Sequence, residues 1–409
     1  MEIDKQEVKP LTQKELKEKA KGTEFEKTFD KKIYSWNEII IDELSKKIAG
    51  EIKSREIIFL CGCGRLVKNA NLSSFNLLIH SKSSAGKDYV SNAVLSIFPK
   101  INVFKKSRIS ERVLNYWKPY EKRGMPSWNE NILYLIDIGE VILNSEALKV
   151  MCSEGSNITI MEKVRGEYEA IDIEIEGKPV IITTTATATP SEEIMNRFII
   201  LRMDESDEQT DRVKDFITKI AECGENPHYS DECLAFIKEL KSYKVKIPFM
   251  LKVRSVFKEN KIRTRRLYST FLDMIKAVTI FHQNEREFDG EFLISEWKDY
   301  DIAKECFANL CLNVTDIPLD ERKQSIIDIL RNSETELSAS EIQPQVKPHI
   351  ALPKIRPHLE TLMNLHLIEE FVINQPLRPP ITKYRLDKDL FEVKSLVLPN
   401  SAEIGDLPN

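Results

Sequence analysis

The chain has 409 residues, with 60 Lys plus Arg against 65 Asp plus Glu and a formal net charge of −5. Hydrophobic residues at 42% and charged residues at 31% exclude a mainly disordered chain, and no apolar run approaches the ~18 residues that a membrane-spanning helix needs. Seven cysteines, an odd number, point to reduced thiols rather than a disulfide framework, and Met1–Lys5 lacks a secretory pattern, so a cytoplasmic location is expected.

Residues 1–35 are densely charged with both signs mixed and read as a solvated helix or a mobile arm. From there, Trp36, Ile39, Ile40, Leu44 and Ile48 recur at helical spacing. The short apolar run Ile57–Leu60 reads as a buried strand or a packed connector. Cys61 and Cys63 resemble half of a zinc site, but no second pair lies at ligand spacing, so they read as buried thiols. Within 36–203 the runs Phe75–Ile79, Ile132–Ile136, Pro179–Thr184 and Phe198–Leu201 alternate with helical stretches. Near-continuous apolar strands separated by helices predict an α/β fold whose parallel sheet is covered on both faces. Residues 204–318 follow as a helical lid and connector without comparable strands, 319–392 form a third block, and 393–409 form a polar, loose tail.

The sharpest local signal is Ser81-Lys-Ser-Ser-Ala-Gly86-Lys87-Asp88, between the first strand and the helix Tyr89–Ile97. Backbone N–H groups at such a helix start converge on phosphate, and a lysine neutralises the outer phosphates. Ser83, Ser84, Ala85, Gly86, Lys87, Asp88 and Tyr89 are therefore candidate nucleotide-binding residues, with ATP and Mg2+ as the expected cofactors. The loop departs from G-x-x-x-x-G-K-[ST] twice: Ser81 replaces the first Gly, and Asp88 replaces the Mg2+-holding hydroxyl. Downstream, Leu133–Ile136 leads into Asp137, a strand-end carboxylate at a metal-binding position. Asp88 and Asp137 are thus the candidate metal ligands. Ile138 stands where a water-polarising residue belongs, and Glu140 arrives two positions later. The strand Val180–Thr185 ends in hydroxyls, and Thr184 or Thr185 is placed to hold the attacking water or the γ-phosphate. Met195-Asn-Arg197-Phe198 then precedes another apolar strand.

Phosphate loop, strand-Asp, strand-Thr and Arg-Phe-strand, followed by a helical lid, resemble an AAA+ module. More narrowly, residues 75–203 resemble the ATPase domain of minichromosome maintenance (MCM) helicases. The resemblance implies that Arg197, within Asn196-Arg197-Phe198, is an arginine finger reaching a neighbouring subunit's site. It also implies that Ser156–Gly166 is a hairpin whose tip residues Lys163 and Arg165 meet DNA inside a ring. Asp204–Thr210, and Ile262–Arg266 leading into Phe271–Ala277, resemble the helicase-like replication proteins of phages, plasmids and other mobile elements. There, Arg265 or Arg266 would be a second sensor of the γ-phosphate. The likeness extends over about 73–310, without the MCM collar or a primase-type domain.

In the third block, a helix over Asp320–Arg331, a helix capped by Ser338, a helix over Leu352–Leu367 and two strands around a Pro-rich turn follow the plan of a winged helix. No acid lies between Glu341 and Glu360, which enclose Lys347, Lys354 and Arg356, or between Glu370 and Asp387, which enclose Arg378 and Lys383. These are candidate DNA contacts, with protein docking as the other use of such a module. Lys241–Arg266 adds ten basic residues against the single acid Glu259, so local potential favours DNA despite the net charge. The expectation is a ring-forming ATP-dependent DNA helicase or translocase, a hexamer by preference, that replicates a mobile element or virus alongside other replication proteins. The alternative, motivated by Ser81, Asp88 and Ile138, is a hydrolysis-poor initiator or loader scaffold.

Overall fold

A computed structural model describes residues 32–405 except 72–73, 82–85, 111–112, 117–120, 123–124, 154–155, 165–166, 187, 258–261, 309, 311–318, 320, 334, 365–366, 376–377 and 387–397. The charged arm of the sequence reading therefore lies almost wholly outside the described residues.

Among the described residues, seven strands of three or more residues appear before residue 203: β1 (Leu77–His80), β2 (Val103–Lys106), β3 (Ile132–Leu135), β4 (Ser156–Val164), β5 (Glu167–Ile175), β6 (Val180–Thr185) and β7 (Ile199–Leu201). Five of them make one parallel sheet in the order β2-β3-β6-β1-β7. The apolar runs explain why it is covered on both faces. Leu77 and Ile79 of β1 enter one buried cluster while Leu78 enters the other, and Ile182 and Ile181 of β6 divide likewise. β4 and β5 leave the sheet as an antiparallel hairpin with Lys163 opposite Tyr168.

The run Ile57–Leu60 belongs to neither a strand nor a connector. It is the middle of helix α1 (Ile52–Gly64), where every residue from Ser54 to Gly64 is buried. A helix buried all round shows no 3.6-residue apolar stripe, and so a short apolar run in it cannot be told from a strand. Its glycines permit close approach: a Cβ on Gly62 would lie 2.3 Å from the Phe98 ring, and one on Gly64 would lie 2.4 Å from Phe75.

Helix α2 (Lys87–Leu95) follows β1, and α3 (Asp207–Cys223), capped by Ser206, follows β7. Beyond them, α4 (Ile262–Phe281) and α5 (Trp297–Ala308) pack on α1. Trp36, Phe59, Phe236 and Phe281 meet edge to face, so the segment before α1 and the helices after 204 share one core with the sheet. Two strands that the sequence reading omits, β8 (Lys244–Lys246) and β9 (Phe292–Ile294), pair in parallel here. At three residues each they are too short to register as periodic runs. The tail also differs from expectation. Leu398 and Ile404 are buried in the main core, Tyr300 OH donates to the Pro399 carbonyl at 2.9 Å, and Ser401 N–H donates to Asp301 at 3.0 Å. Two apolar anchors suffice to seat a segment whose composition is otherwise polar.

The third block has its own core. Helices α6 (Glu321–Arg331), α7 (Ala339–Ile342) and α8 (Leu352–Asn364) pack with an antiparallel sheet of β10 (Leu337–Ser338), β12 (Arg378–Leu386) and β11 (Ile368–Gln375), in that order. Ser338 caps α7 in a reciprocal box with Glu341. Lys323 of α6 donates to Thr189 Oγ1 at 2.9 Å, joining this block to the loop after β6.

Arg286 and Asp299 form a buried ion pair beside α4 and α5, with bonds of 2.9 and 2.6 Å, and Thr279, the Glu296 N–H and His282 also contact the carboxylate. Burial works against the Asp299 charge, but the bonds from Arg286 and His282 outweigh it and hold the carboxyl below its ordinary value. A carboxyl depressed in the folded state stabilises the fold above its unfolded pKa of about 3.9, and that contribution is lost as pH falls through the folded value. Asp299→Asn is therefore expected to cost ~1.5–3 kcal/mol at pH 7 by removing the charged bonds to Arg286, which keeps Glu285 and Glu296 at 3.7 and 3.5 Å. In urea titrations the gap between wild type and variant should narrow only below about pH 4.

Candidate nucleotide site

The C-terminal ends of β1, β3 and β6 point to one edge of the sheet, and the expected phosphate-binding residues gather there. Ser83, Ser84 and Ala85 lie outside the described residues. Gly86 caps α2 with φ +79°, and no atom lies within 4 Å of a Cβ built on it, so the backbone conformation rather than space calls for glycine. Lys87 is 5% exposed, and its Nζ lies 4.0 Å from Asp137 Oδ1. Asp137 stands just past β3 at φ +47°, with its carboxylate half exposed.

Thr184 ties these parts together. Its buried hydroxyl donates to Asp88 Oδ1 at 2.6 Å and accepts the Asp137 N–H at 2.9 Å. Tyr134 OH approaches the same Asp88 oxygen at 3.5 Å, and burial together with the Asp88 charge raises the phenol's pKa. Thr185 donates to the Ile138 carbonyl and accepts the Ala188 N–H, at 3.0 and 3.1 Å. Both hydroxyls proposed to hold the attacking water or the γ-phosphate thus give their one proton to protein acceptors and keep a single lone pair for a further donor. Ile138 is buried, while Glu140 is exposed at the start of a short helix, Glu140–Leu143.

The residues fit a bound triphosphate and its metal. Ser81 Oγ and His80 Nδ1, at the tip of β1, are buried without partners. Burial, then the Arg202 and Lys87 charges, push His80 down to about 4, so its imidazole is neutral at pH 7. Among the described residues no three His, Cys, Asp or Glu side chains cluster as a metal site. Asp88 and Asp137 are the carboxylates that would hold Mg2+, which ordinarily takes one or two carboxylates besides phosphate and water.

A cavity of about 680 Å3 opens beside Gly86 and Tyr89, walled by Ile48 and by Val213 and Ile217 of α3. Gln209 fixes its rim by donating to the Ala49 carbonyl at 2.8 Å. Gly50, at φ +57°, admits that side chain, since a Cβ there would lie 2.0 Å from Gln209 Oε1. The sequence reading named Tyr89 but missed this wall. The signal was present, because Val213, Phe216, Ile217 and Ile220 form an i, i+3, i+4, i+7 stripe on an otherwise charged helix.

The remaining candidates lie elsewhere. Arg197 sits before β7, at the strands' N-terminal edge, so the sheet separates it from Lys87. It is half-buried, and its guanidinium donates to the Glu193 carbonyl at 3.1 Å. Arg265 is exposed one turn before Ser269, and Ser269 and Thr270 share a small cavity with Arg197. The Arg266 side chain lies outside the described residues. The start of α4 thus lies on the Arg197 side of the sheet, away from the same chain's Lys87. Lys163 is exposed near the hairpin tip with its Nζ 6.0 Å from the Tyr168 ring, and Arg165 lies outside the described residues. Lys347, Lys354 and Arg356 are exposed, whereas Lys383 is half-buried and its Nζ donates one bond to the Glu336 carbonyl at 3.2 Å. The Arg378 side chain lies outside the described residues.

A family model described as the MTBMA_p00010 P-loop domain matches residues 37–241. The chain belongs to this family. The match runs from the segment before α1 through the sheet and α3, so it takes in Lys87, Asp137, Thr184 and the cavity wall. A search of curated proteins finds no match. As a P-loop domain of the MTBMA_p00010 family, this part of the chain is built to hold a nucleotide. No helix among the described residues is long and apolar enough to cross a membrane.

Lys87→Ala removes a charged donor whose hydrogen bonds contribute about 1.5–3 kcal/mol, so affinity for a nucleoside triphosphate should fall roughly 10- to 100-fold in a fluorescent-nucleotide titration. Ile217→Asp, which places a charge in the apolar wall, should weaken nucleotide binding while leaving the thermal midpoint nearly unchanged, because Ile217 is 60% exposed.

Proposed function

We propose that the chain is an ATP-dependent DNA helicase or translocase of MCM-like AAA+ type, acting in replication of a mobile element or virus. It works as a ring, hexameric by preference, with ATP between neighbouring copies. The observation that carries this reading is the division of the site. Lys87, Asp88 and Asp137 meet at one edge of the sheet while Arg197 and the start of α4 stand at the other. No one chain can bring the two sets to the same phosphate, but copies stacked edge to edge can.

In that arrangement the Gly86–Lys87 helix start receives the phosphates, and the apolar cavity receives the base. Lys87 is drawn from Asp137 to phosphate, which leaves the Asp137 carboxylate for the metal. Mg2+, when bound, neutralises charge between the outer phosphates. Thr184 holds Asp88 and the Asp137 backbone in register, and Arg197 from the next copy stabilises charge developing on the transferred group. The hairpin presents Lys163, with Tyr168 and Met161 exposed beside it, to a DNA backbone. The third block reads as a winged helix in which Lys354 and Arg356 flank the buried Ile355 of α8, an orientation suited to phosphate contact or to docking a replication protein.

A second reading, a nucleotide-binding initiator or loader with little hydrolysis, draws on one observation. Ile138 is buried where a water-activating group belongs, and both threonine hydroxyls are engaged. Subunit mixing separates the readings. Lys87→Ala and Arg197→Ala should each abolish DNA-stimulated hydrolysis, Arg197→Ala without loss of nucleotide binding. A mixture of the two should recover part of the activity, because some interfaces then pair an intact Lys87 with an intact Arg197. Wild-type turnover at background with DNA and Mg2+, despite tight nucleotide binding, would favour the scaffold.

A further inference from the structure

At the strands' N-terminal edge, away from Lys87, the sheet carries a second polar cavity of about 370 Å3. Lys178, Arg65 and Lys68 line it together with Glu130, Asn129 and Ser242. Two separate connections bring the cations there: Arg65 and Lys68 follow α1, and Lys178 precedes β6. The wall is closely built around a glycine turn. Gly177 has φ +69°, and a Cβ on it would lie 1.9 Å from Asn129 Oδ1.

Among the described residues none of the three cations makes a direct ion pair, although the charges of Glu130 and Asp273 act on Arg65 and Lys178. Lys178 Nζ donates to the Ser74 carbonyl at 3.3 Å and has no ion-pair partner among the described residues. Burial lowers its pKa to about 8 against the opposing influence of Cys152 and Asp273. Arg65 spends Nη1 on the Gly62 carbonyl at 2.8 Å, while its Nε is buried without a partner. Glu130 is the one carboxylate lining the cavity, and it accepts a 2.6 Å bond from Ser242. Sequestered cations with unused donors destabilise the fold unless an anion meets them. A tetrahedral oxyanion offers charged acceptors to the Lys178 ammonium and to the terminal guanidinium donors of Arg65.

We propose that this cavity is a binding site for a phosphate-class anion, either free phosphate or the phosphoryl group of a small phosphomonoester, separate from the phosphate loop. Lys178 and Arg65 bind the anion, Lys68 guides it inward, and Glu130 limits its affinity.

The test uses the full chain carrying Lys87→Ala, so that binding at the phosphate loop cannot be mistaken for this site. Inorganic phosphate and, in a parallel arm, ribose 5-phosphate are titrated by calorimetry. Saturable binding of one equivalent is expected, with the tighter arm identifying the source. Adding Lys178→Met should weaken binding at least ~10-fold, Lys178→Arg should retain most of it, and Glu130→Gln should strengthen it several-fold by removing the opposing charge. The Glu130→Gln arm keeps the test decisive should Lys178→Met fail to fold. No saturable binding of either ligand, or affinity indifferent to both Lys178→Met and Glu130→Gln, overturns the proposal.

Discussion

One hydroxyl holds the nucleotide edge of the sheet together. Thr184 Oγ1 gives its proton to Asp88 on the helix after the phosphate loop and takes the Asp137 N–H from the end of β3, at 2.6 and 2.9 Å. It can do so because β6 is inserted between β1 and β3, in register with both. Had β1 and β3 been neighbours, Lys87 and Asp137 would have been brought together without an intervening hydroxyl. With β6 between them, the side chain at the phosphate-loop helix and the acid's backbone are positioned by a single group that is itself fully buried. Buried polar groups that are fully bonded specify one geometry, since any displacement leaves a donor or acceptor unmet.

The same strand connects the site to the rest of the molecule. Thr185 binds the loop after β6 through the Ala188 N–H, and Thr189 in that loop accepts the Lys323 ammonium from the third block. On the other side, Glu51 accepts the Asp204 N–H, and Gln209 clasps Ala49, so the segment before α1 and the start of α3 form one continuous rim around the apolar cavity. Burial raises the Glu51 carboxyl. The nucleotide edge is thus tied both to the third block and to the rim of the apolar cavity.

Much of this was legible in residues. Apolar runs of four to six residues ending in Asp137 or in hydroxyls located β3 and β6, because strands buried on both faces keep only apolar side chains until their tips. Ser338 with Glu341 marked the start of α7 because a capping box is written in local sequence. What stayed hidden depends on contacts distant in sequence. Ile57–Leu60 carried no period that separates a buried helix from a strand. The Thr184 hydroxyl looked available for water because nothing local shows that Asp88, 96 residues earlier, accepts its proton. Which edge of the sheet Arg265 stands on was also hidden, because order along the chain does not reveal where a helix starts. The cationic cavity was invisible for the same reason, since Arg65 and Lys178 come from separate connections.

The central claim is that this edge of the sheet hydrolyses ATP when copies of the chain assemble around DNA. Turnover with and without single-stranded DNA, measured beside the particle mass with Mg2+ and ATP present, tests it most directly. The account predicts DNA-stimulated hydrolysis and a mass that rises with ATP to a multiple of 47.3 kDa, six copies by preference. Turnover at background together with a mass that stays at one copy would contradict it.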